Sequence, residues 1–434
     1  MKEISAIILA AGKGKRMRSP RPKVLHNLLG KPSLYYVIKA LLSLGPVLKE
    51  IILVVGYESK LVETRVKELF PDQFKKGKSP KIQFVLQKSQ LGTAHAVATG
   101  LKKAKSKSIM VACGDLPLLT KTTFSKLYKF YLRKKVSSVL SAKMKEQNVP
   151  GAILRDSKGK ICAIQEKAGL SASQKRKIRN DFAYQECNTG IYIFRKEDLK
   201  ANLPKIKKNK YKKEFFLTDI FELLYKQKKP MASCTIADEQ EVFSVNTKAH
   251  LLQAVEIMRS RVIWELISEG INIVDPQTTF IQNGVKIGKN SVIYPFTFIE
   301  EGAIIGSNCQ LGPFLRLRGV SVVGDNCSLG NYLEINRSKI GKRVKIKHFG
   351  YIGDAVIADD VNIGAGTVFA NYDGKTKHKT FIEKGAFIGS DTVLVAPLTI
   401  GKDAVTGAGS VVTANVAGKN LVVGVPARPV KRKK

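Results

Sequence analysis

The stretch VKIGKNSVIYPFTFIEEGAIIG, residues 285–306, repeats itself every six residues. A large aliphatic residue stands at Ile287, Ile293, Ile299 and Ile305, and the series continues unbroken through Leu311, Leu317, Val323 and Leu329 to Ile335. The register slips by one, resumes at Ile340, Ile346 and Ile352, and slips again to Ile357, Ile363 and Phe369. A last set runs from Ile382 through Ile388, Leu394, Ile400 and Thr406 to Val412. Glycine often follows directly, as at Gly288, Gly306 and Gly324, and small residues such as Ser291, Thr297, Ala303, Cys309, Ser321 and Cys327 come four places later. A hexapeptide period predicts a parallel β-helix in which three short strands close one turn. The aliphatic and small residues are expected to point inward, with glycine at the tight corners. A β-sandwich would show period two and strands every 8–12 residues, which this pattern lacks. One turn takes eighteen residues, so Cys309 and Cys327 are expected to stack about one strand spacing, ~4.8 Å, apart.

Upstream the pattern changes. Ser5–Leu9, Ile51–Val55, Ile82–Leu86 and Ile109–Ala112 read as strands, and Ser33–Leu44, Lys60–Phe70 and Ala94–Lys103 as helices between them. This alternation predicts a doubly wound α/β sheet. Ligands of such sheets sit beyond the carboxyl ends of the strands, where the glycine loop after the first strand and Asp115 after the fourth both fall. Lys248–Glu269 reads as an amphipathic helix carrying the only tryptophan, Trp264, before Gly270. The expected organisation is therefore an α/β domain over residues 1–246, a helical arm over 247–271 and a β-helix over 272–434, ending in a short basic tail.

Composition narrows the function. Of 434 residues 44% are hydrophobic and 25% charged, which excludes a wholly disordered chain. No apolar run reaches the ~18 residues of a membrane helix, so membrane insertion is not expected. The opening MKEISAIILAAG imitates a signal peptide, but its apolar run is short and leads into GKGKRM, which reads as a retained first strand. Six scattered cysteines form no CxxC pair, as expected of reduced thiols in a cytoplasmic protein. The net charge of +39 raises nucleic acid as a partner. The lysines are spread along the chain, however, apart from runs such as Lys205–Lys213 and Lys431–Lys434. Arginines and aromatics interleaved on one face, expected of a nucleic-acid surface, are missing. A solvated lysine-rich surface that steers anionic substrates is the favoured reading.

The string LAAGKGKRM, Leu9–Met17, followed by Pro22-Lys23-Val24-Leu25, carries the chemistry. It lacks the third glycine of a Rossmann fingerprint and the GK[ST] of a P-loop. It still offers backbone N–H groups with Lys13, Arg16 and Lys23, a set suited to a nucleoside triphosphate. The string resembles the signature of sugar-nucleotide pyrophosphorylases. Gln87, Leu91-Gly-Thr-Ala-His95, Gly114-Asp115-Leu-Pro117, Glu166, Glu186-Cys-Asn188-Thr-Gly190 and Val245-Asn246 follow in that family's order. With the hexapeptide repeats, nearly the whole chain resembles the bifunctional N-acetylglucosamine-1-phosphate uridyltransferase / glucosamine-1-phosphate acetyltransferase family of bacterial envelope synthesis, whose β-helix is left-handed.

The resemblance implies roles position by position. Leu9, Gly12, Gly14 and Lys23 would hold the nucleotide, with Arg16 and Lys23 acting on its phosphates, and Gln87, Gly92 and Thr93 would read the base. Asp115 and Asn246 would bind Mg2+, and Gly151, Glu166, Asn188 and Asn246 would contact the sugar. In the β-helix His348 would be the general base. Arg318, Tyr351, Asn362, Lys377 and Asn336 fall on the acetyl-acceptor positions, and Asn371, Tyr372, Ser390 and Ala408 on those for acetyl-CoA. UTP and acetyl-CoA would be co-substrates, and a homotrimer built through the β-helix would complete the acetyl site. His348 lies two places after inward Ile346 and is expected to point outward. His26, His95, His250 and His378 carry no expected role.

Three positions depart from the family. Val149-Pro-Gly-Ala152 replaces a common GYGR, Cys113 replaces a tyrosine before Gly-Asp, and Asn336 stands where the family has lysine. The end, Val423-Gly-Val-Pro-Ala-Arg428-Pro429, is of a general hexapeptide-acyltransferase kind. An alternative is a monofunctional sugar-1-phosphate nucleotidyltransferase whose β-helix serves only assembly. A third reading is a nucleic-acid-binding protein on an enzyme-like scaffold.

Overall fold

The computed structural model describes residues 3–145, 151–166 and 184–430. Val149, Pro150 and Lys431–Lys434, on which some of the expectations fall, lie outside them. The chain divides into two compact units, Met1–Val255 and Glu256–Lys434.

The first unit is a mixed sheet with helices on both faces. Its strands are β1 (Ile4–Ala10), β2 (Leu48–Val55), β3 (Lys81–Leu86), β4 (Ser108–Cys113), β5 (Ser137–Lys145), β6 (Gly151–Arg155), β7 (Ile161–Glu166), β8 (Tyr184–Arg195) and β9 (Met231–Ile236). The main order is β9-β5-β8-β4-β1-β2-β3, with the β6–β7 hairpin attached to β8. β1 lies parallel to both β2 and β4, whereas β8 runs antiparallel to β4 and β5. The near-continuous apolar runs of β1, β2 and β4 are those of strands covered on both faces. The helices that cover them are α1 (Ser33–Leu42), α2 (Ser59–Leu69), α3 (Thr93–Leu101) and α4 (Lys121–Lys134). Alternate residues of β1 feed two cores: Ile4, Ala6 and Ile8 join one, and Ile7 the other. The chain crosses from β1 outward to β2 and β3, then returns to β4 on the other side of β1. The carboxyl ends of β1 and β4 therefore flank a switch point, where a crevice opens.

A helix, Lys248–Ser268, spans the sequence division between the units. The second unit is the left-handed parallel β-helix, its strands collected into sheets of ten, eight and seven. Ile299, Leu317 and Ile335 stack in register on successive turns and none is exposed. Each such side chain contributes about 1.5–3 kcal/mol by leaving water. The expected slip is seen where Val323 pairs with Ile340, one residue short of a full turn. Cys309 and Cys327 are buried, and each thiol hydrogen-bonds a backbone carbonyl 3.1 Å away on the following turn, Gly324 and Gly341 respectively. All six cysteines are free thiols.

The corners differ from the expectation in one respect. Many of the left-handed residues are asparagine or aspartate, such as Asn290, Asn308, Asn326 and Asp360, with φ of 57–63°. These side chains tolerate that conformation through local hydrogen bonds. Glycines hold other corners, as at Gly302, Gly312 and Gly366 with φ of 73–91°, and repeat glycines such as Gly306 serve close approach: a Cβ there would lie 2.5 Å from Asp325 Oδ1 and 2.7 Å from the Asp325 nitrogen.

Candidate active sites

In the first unit the glycine loop leaves β1 at Ala10. Gly14 has φ 64°, and a Cβ there would sit 2.6 Å from the Cβ of Lys23. Glycine at this position lets the short helical turn Lys23–Leu25 close onto the loop. Lys23 is thereby aimed at the carboxyl end of β4. Its ammonium pairs with Asp115 Oδ2 and donates to Asn246 Oδ1 at 3.0 Å. Arg16 donates to the same Asn246 oxygen at 2.9 Å. The Val245 N–H binds the Asp115 carbonyl at 2.9 Å, and the Asn246 amide donates to Ser244 Oγ at 2.7 Å. Arg16, Lys23, Asp115 and Asn246, up to 230 positions apart in sequence, thus form one cluster.

A pocket of about 200 Å³ adjoins it, lined among others by Leu9, Thr93, Cys113, Asp115, Glu166 and Asn188. Asn188 donates to Glu166 Oε1 at 3.2 Å, and burial pushes the Glu166 carboxyl up to about 7. Gly151 pairs with Glu166 across the hairpin, and a Cβ there would come within 3.2 Å of the Gln165 carbonyl. Burial likewise pushes the Cys113 thiol up to about 12, which leaves it protonated and unreactive. Its sulfur donates to the Gly190 carbonyl at 3.7 Å.

Gln87 is buried and donates to the Gly92 carbonyl at 3.3 Å. Its side chain also meets His95 Nδ1 at 2.9 Å. His95, to which the sequence assigned nothing, therefore fixes the amide expected to read a base. Thr93, at the start of α3, accepts the Leu217 N–H at 2.9 Å. Gly12 stands where a Cβ would meet nothing within 4 Å, so the loop is open above it.

In the second unit, Arg318 and Asn336 pair at the ends of adjacent strands, with Tyr351 on the next strand of that eight-stranded sheet. His348 is exposed, as expected, where the chain passes from strand Lys345–Ile346 of the ten-stranded sheet to Gly350–Gly353 of the eight-stranded one. Asn362 belongs to the ten-stranded sheet, and Ser390 and Ala408 follow its strands Phe387–Ile388 and Val405–Thr406. Asn371, Tyr372 and Lys377 lie on one loop, which Asp373 ties down by accepting from the N–H groups of Lys375 (2.8 Å) and Thr376 (2.7 Å) and from His378 (2.7 Å).

By strand alternation Asn336 leaves the sheet on the side opposite inward Ile335, beside Arg318, but neighbouring turns cover it. The strand pairing is as expected, but Asn336 is only 3% exposed. Gly319 lacks a side chain, and Asn336 and Arg337 pack over it. Arg337 is bidentate to Asp354, with both bonds 2.7 Å, and Asp354 also accepts from Asn371 at 2.5 Å. The Arg337 guanidinium holds the Asp354 carboxyl below its usual range, and the Lys377 charge acts in the same direction. Arg318 is paired with Glu334 at 3.1 Å. Glu334 and Asp354 were not singled out from the sequence. Their outward positions on turns adjacent to the arginines were the available signal.

A nucleotide-type switch-point crevice joined in sequence to a hexapeptide β-helix defines a two-part transferase. A MobA-like NTP transferase domain matches residues 6–181, and the hexapeptide repeat of succinyl-transferase matches residues 379–414. The bifunctional protein GlmU of Carboxydothermus hydrogenoformans is 37% identical, with 97% of each chain covered. That of Thermosipho africanus is 38% identical over 97% of this chain and 94% of its own, and that of Syntrophomonas wolfei is 35% identical over 97% of each. The chain belongs to the bifunctional GlmU family.

Proposed function

We propose that the chain carries out two consecutive transfers in the synthesis of UDP-N-acetylglucosamine. Acetyl passes from acetyl-CoA to glucosamine-1-phosphate on the β-helix, and UTP then activates the product in the α/β unit with release of pyrophosphate. The observation that carries this reading is the meeting of Arg16, Lys23, Asp115 and Asn246 beneath the glycine loop.

In the uridyl transfer, Gly12 and Gly14 let the loop approach the triphosphate, and Arg16 and Lys23 bind its anionic oxygens. Gln87, braced by His95, hydrogen-bonds the base beside Gly92 and Thr93. Glu166, Asn188 and Gly151 orient the sugar so that its phosphate oxygen attacks the α-phosphorus in line, with pyrophosphate departing opposite. The oxygens of Asp115 and Asn246 already share one cation, the Lys23 ammonium, so their donor set suits Mg2+. When bound, that ion would neutralise charge between the reacting phosphates.

In the acetyl transfer, the acceptor amine attacks the thioester carbonyl while His348 takes its proton, and the thiolate of CoA leaves. An imidazole suits this because it titrates near neutrality, at ~6.5 in its unperturbed form. Arg318, Tyr351, Lys377 and Asn362 bind the acceptor, and Asn371, Tyr372, Ser390 and Ala408 bind acetyl-CoA. Within one chain these residues are divided between two sheets, which supports a homotrimer whose neighbouring β-helices complete each site. Six free cysteines support a reducing, cytoplasmic setting, and no described helix is long and apolar enough to cross a membrane.

The deciding experiment incubates purified protein with acetyl-CoA, glucosamine-1-phosphate, UTP and Mg2+ and follows each species by mass spectrometry. N-acetylglucosamine-1-phosphate followed by UDP-N-acetylglucosamine is expected. Uridyl transfer without acetylation would establish a monofunctional nucleotidyltransferase.

A further inference from the structure

At the amino ends of β1 and β4, away from the glycine loop, the first unit carries a second and larger concavity of about 1010 Å³. Six cations line it: Lys105, Lys107, Lys135, Arg195, Lys196 and Lys200. Only two acids do, and both are engaged: Glu3 with Lys49 at 3.2 Å and Glu197 with Arg195. The Lys196 ammonium donates to the Ala104 carbonyl. Lys105, Lys107, Lys135 and Lys200 are exposed and form no ion pair among the described residues. Ser106, 7% exposed, also lines the cavity, and its hydroxyl oxygen is buried with no hydrogen-bond partner among the described residues.

An ordinary lysine-rich surface spreads its charges apart in water. Here they converge on a concave wall, where low-dielectric surroundings focus the field and draw in counter-charge. The volume is at the upper end of small-ligand pockets, roughly 300–1,000 Å³. The sole aromatic among the lining residues is Tyr131, which is 7% exposed and has its hydroxyl 2.9 Å from Ser108 Oγ. No ring face is offered for stacking a base, which argues against a nucleic-acid strand. The site also differs from the proposed catalytic one, because Ser108 and Cys113 are the two ends of β4, roughly 16–17 Å apart at ~3.3 Å per residue.

We propose that this cavity is a binding site for a compact polyphosphate anion, with three or more linked phosphates held by Lys105, Lys107, Lys135 and Lys200. The phosphates can come from an inorganic chain or from the tail of a nucleoside polyphosphate.

The test is calorimetric titration of the full chain with inorganic tripolyphosphate and, separately, with ATP, in about 0.15 M salt. Two sites are expected in the α/β unit, one in the cavity and one at the glycine loop. Lys105→Glu/Lys107→Glu/Lys200→Glu should remove one site or weaken it at least tenfold, and Arg16→Ala should weaken the other. The equally charged control Lys76→Glu/Lys78→Glu/Lys208→Glu should leave both in place. The neutralising triple Lys105→Gln/Lys107→Gln/Lys200→Gln covers a failure of the reversal to fold. Stronger binding of tripolyphosphate or of ATP assigns the source. The proposal is overturned if a folded cavity variant keeps both sites or if the control triple loses as much. It is equally overturned if single-stranded RNA, and not tripolyphosphate, binds through these lysines.

Discussion

Asn336→Lys should tighten the acetyl acceptor, and the structure sets how far. Arg318 and Asn336 end adjacent strands, about one strand spacing or ~4.8 Å apart, so a lysine at 336 would place a second cation beside Arg318. A charge-assisted hydrogen bond to a phosphate contributes about 1.5–3 kcal/mol, which is roughly ten- to hundredfold in affinity at ~1.4 kcal/mol per decade. Position 336 is 3% exposed, so desolvation of the ammonium offsets part of that gain. A fall of about tenfold in KM for glucosamine-1-phosphate is expected, read by release of CoA thiol, with uridyl transfer unchanged. Arg337 does not already supply this contact, because Asp354 holds its guanidinium through two 2.7 Å bonds. Arg337→Ala should therefore raise KM by leaving Asp354 unpaired beside Asn371 and Lys377, and adding Asp354→Asn should restore it in a double-mutant cycle. If Asn336→Lys has no effect and the double variant stays as impaired as Arg337→Ala, Arg337 itself binds the phosphate and the reasoning fails.

Asp115→Asn should abolish pyrophosphate release from UTP while CoA release persists; uridyl transfer within a few-fold of wild type would remove Asp115 from the site. His348→Ala should cost ~10²–10⁴ in CoA release and leave uridyl transfer to supplied N-acetylglucosamine-1-phosphate intact, so retained acetylation refutes its role as base. Glu166 has a carboxyl raised by burial from 4.5 to about 7. Its neutral form favours the fold, so its contribution is fully present below about pH 4.5 and is lost as pH rises through 7. The difference is about 3 kcal/mol. Glu166→Gln should flatten the decline in melting temperature between pH 5 and pH 8, measured by thermal unfolding, and an unchanged decline would show that the carboxyl ionises freely.

The sequence by itself determined the architecture of both units. A six-residue period has one economical packing, because every sixth aliphatic side chain must leave water together, and Ile299, Leu317 and Ile335 do so on successive turns. Apolar runs joined by helical segments likewise specify a sheet covered on both faces, and the glycine loop and Asp115 had to fall beyond its strand ends. Outward His348 followed from counting residues from Ile346. Tertiary structure decided the pairings. Lys23, Asp115 and Asn246 meet only because β4 lies beside β1 and the segment carrying Val245 docks on Asp115. The bond from Gln87 to His95 depends on how the first turn of α3 seats on the distant Phe215–Leu217 segment, to which Ala94 and Thr93 are hydrogen-bonded. Asn336 looked outward by register, yet its burial depends on a neighbouring turn lacking a side chain at Gly319 and on Asp354 drawing Arg337 across. Periodicity records which way a side chain leaves the backbone. What then covers it is set by charges and gaps on other turns, which no local pattern contains.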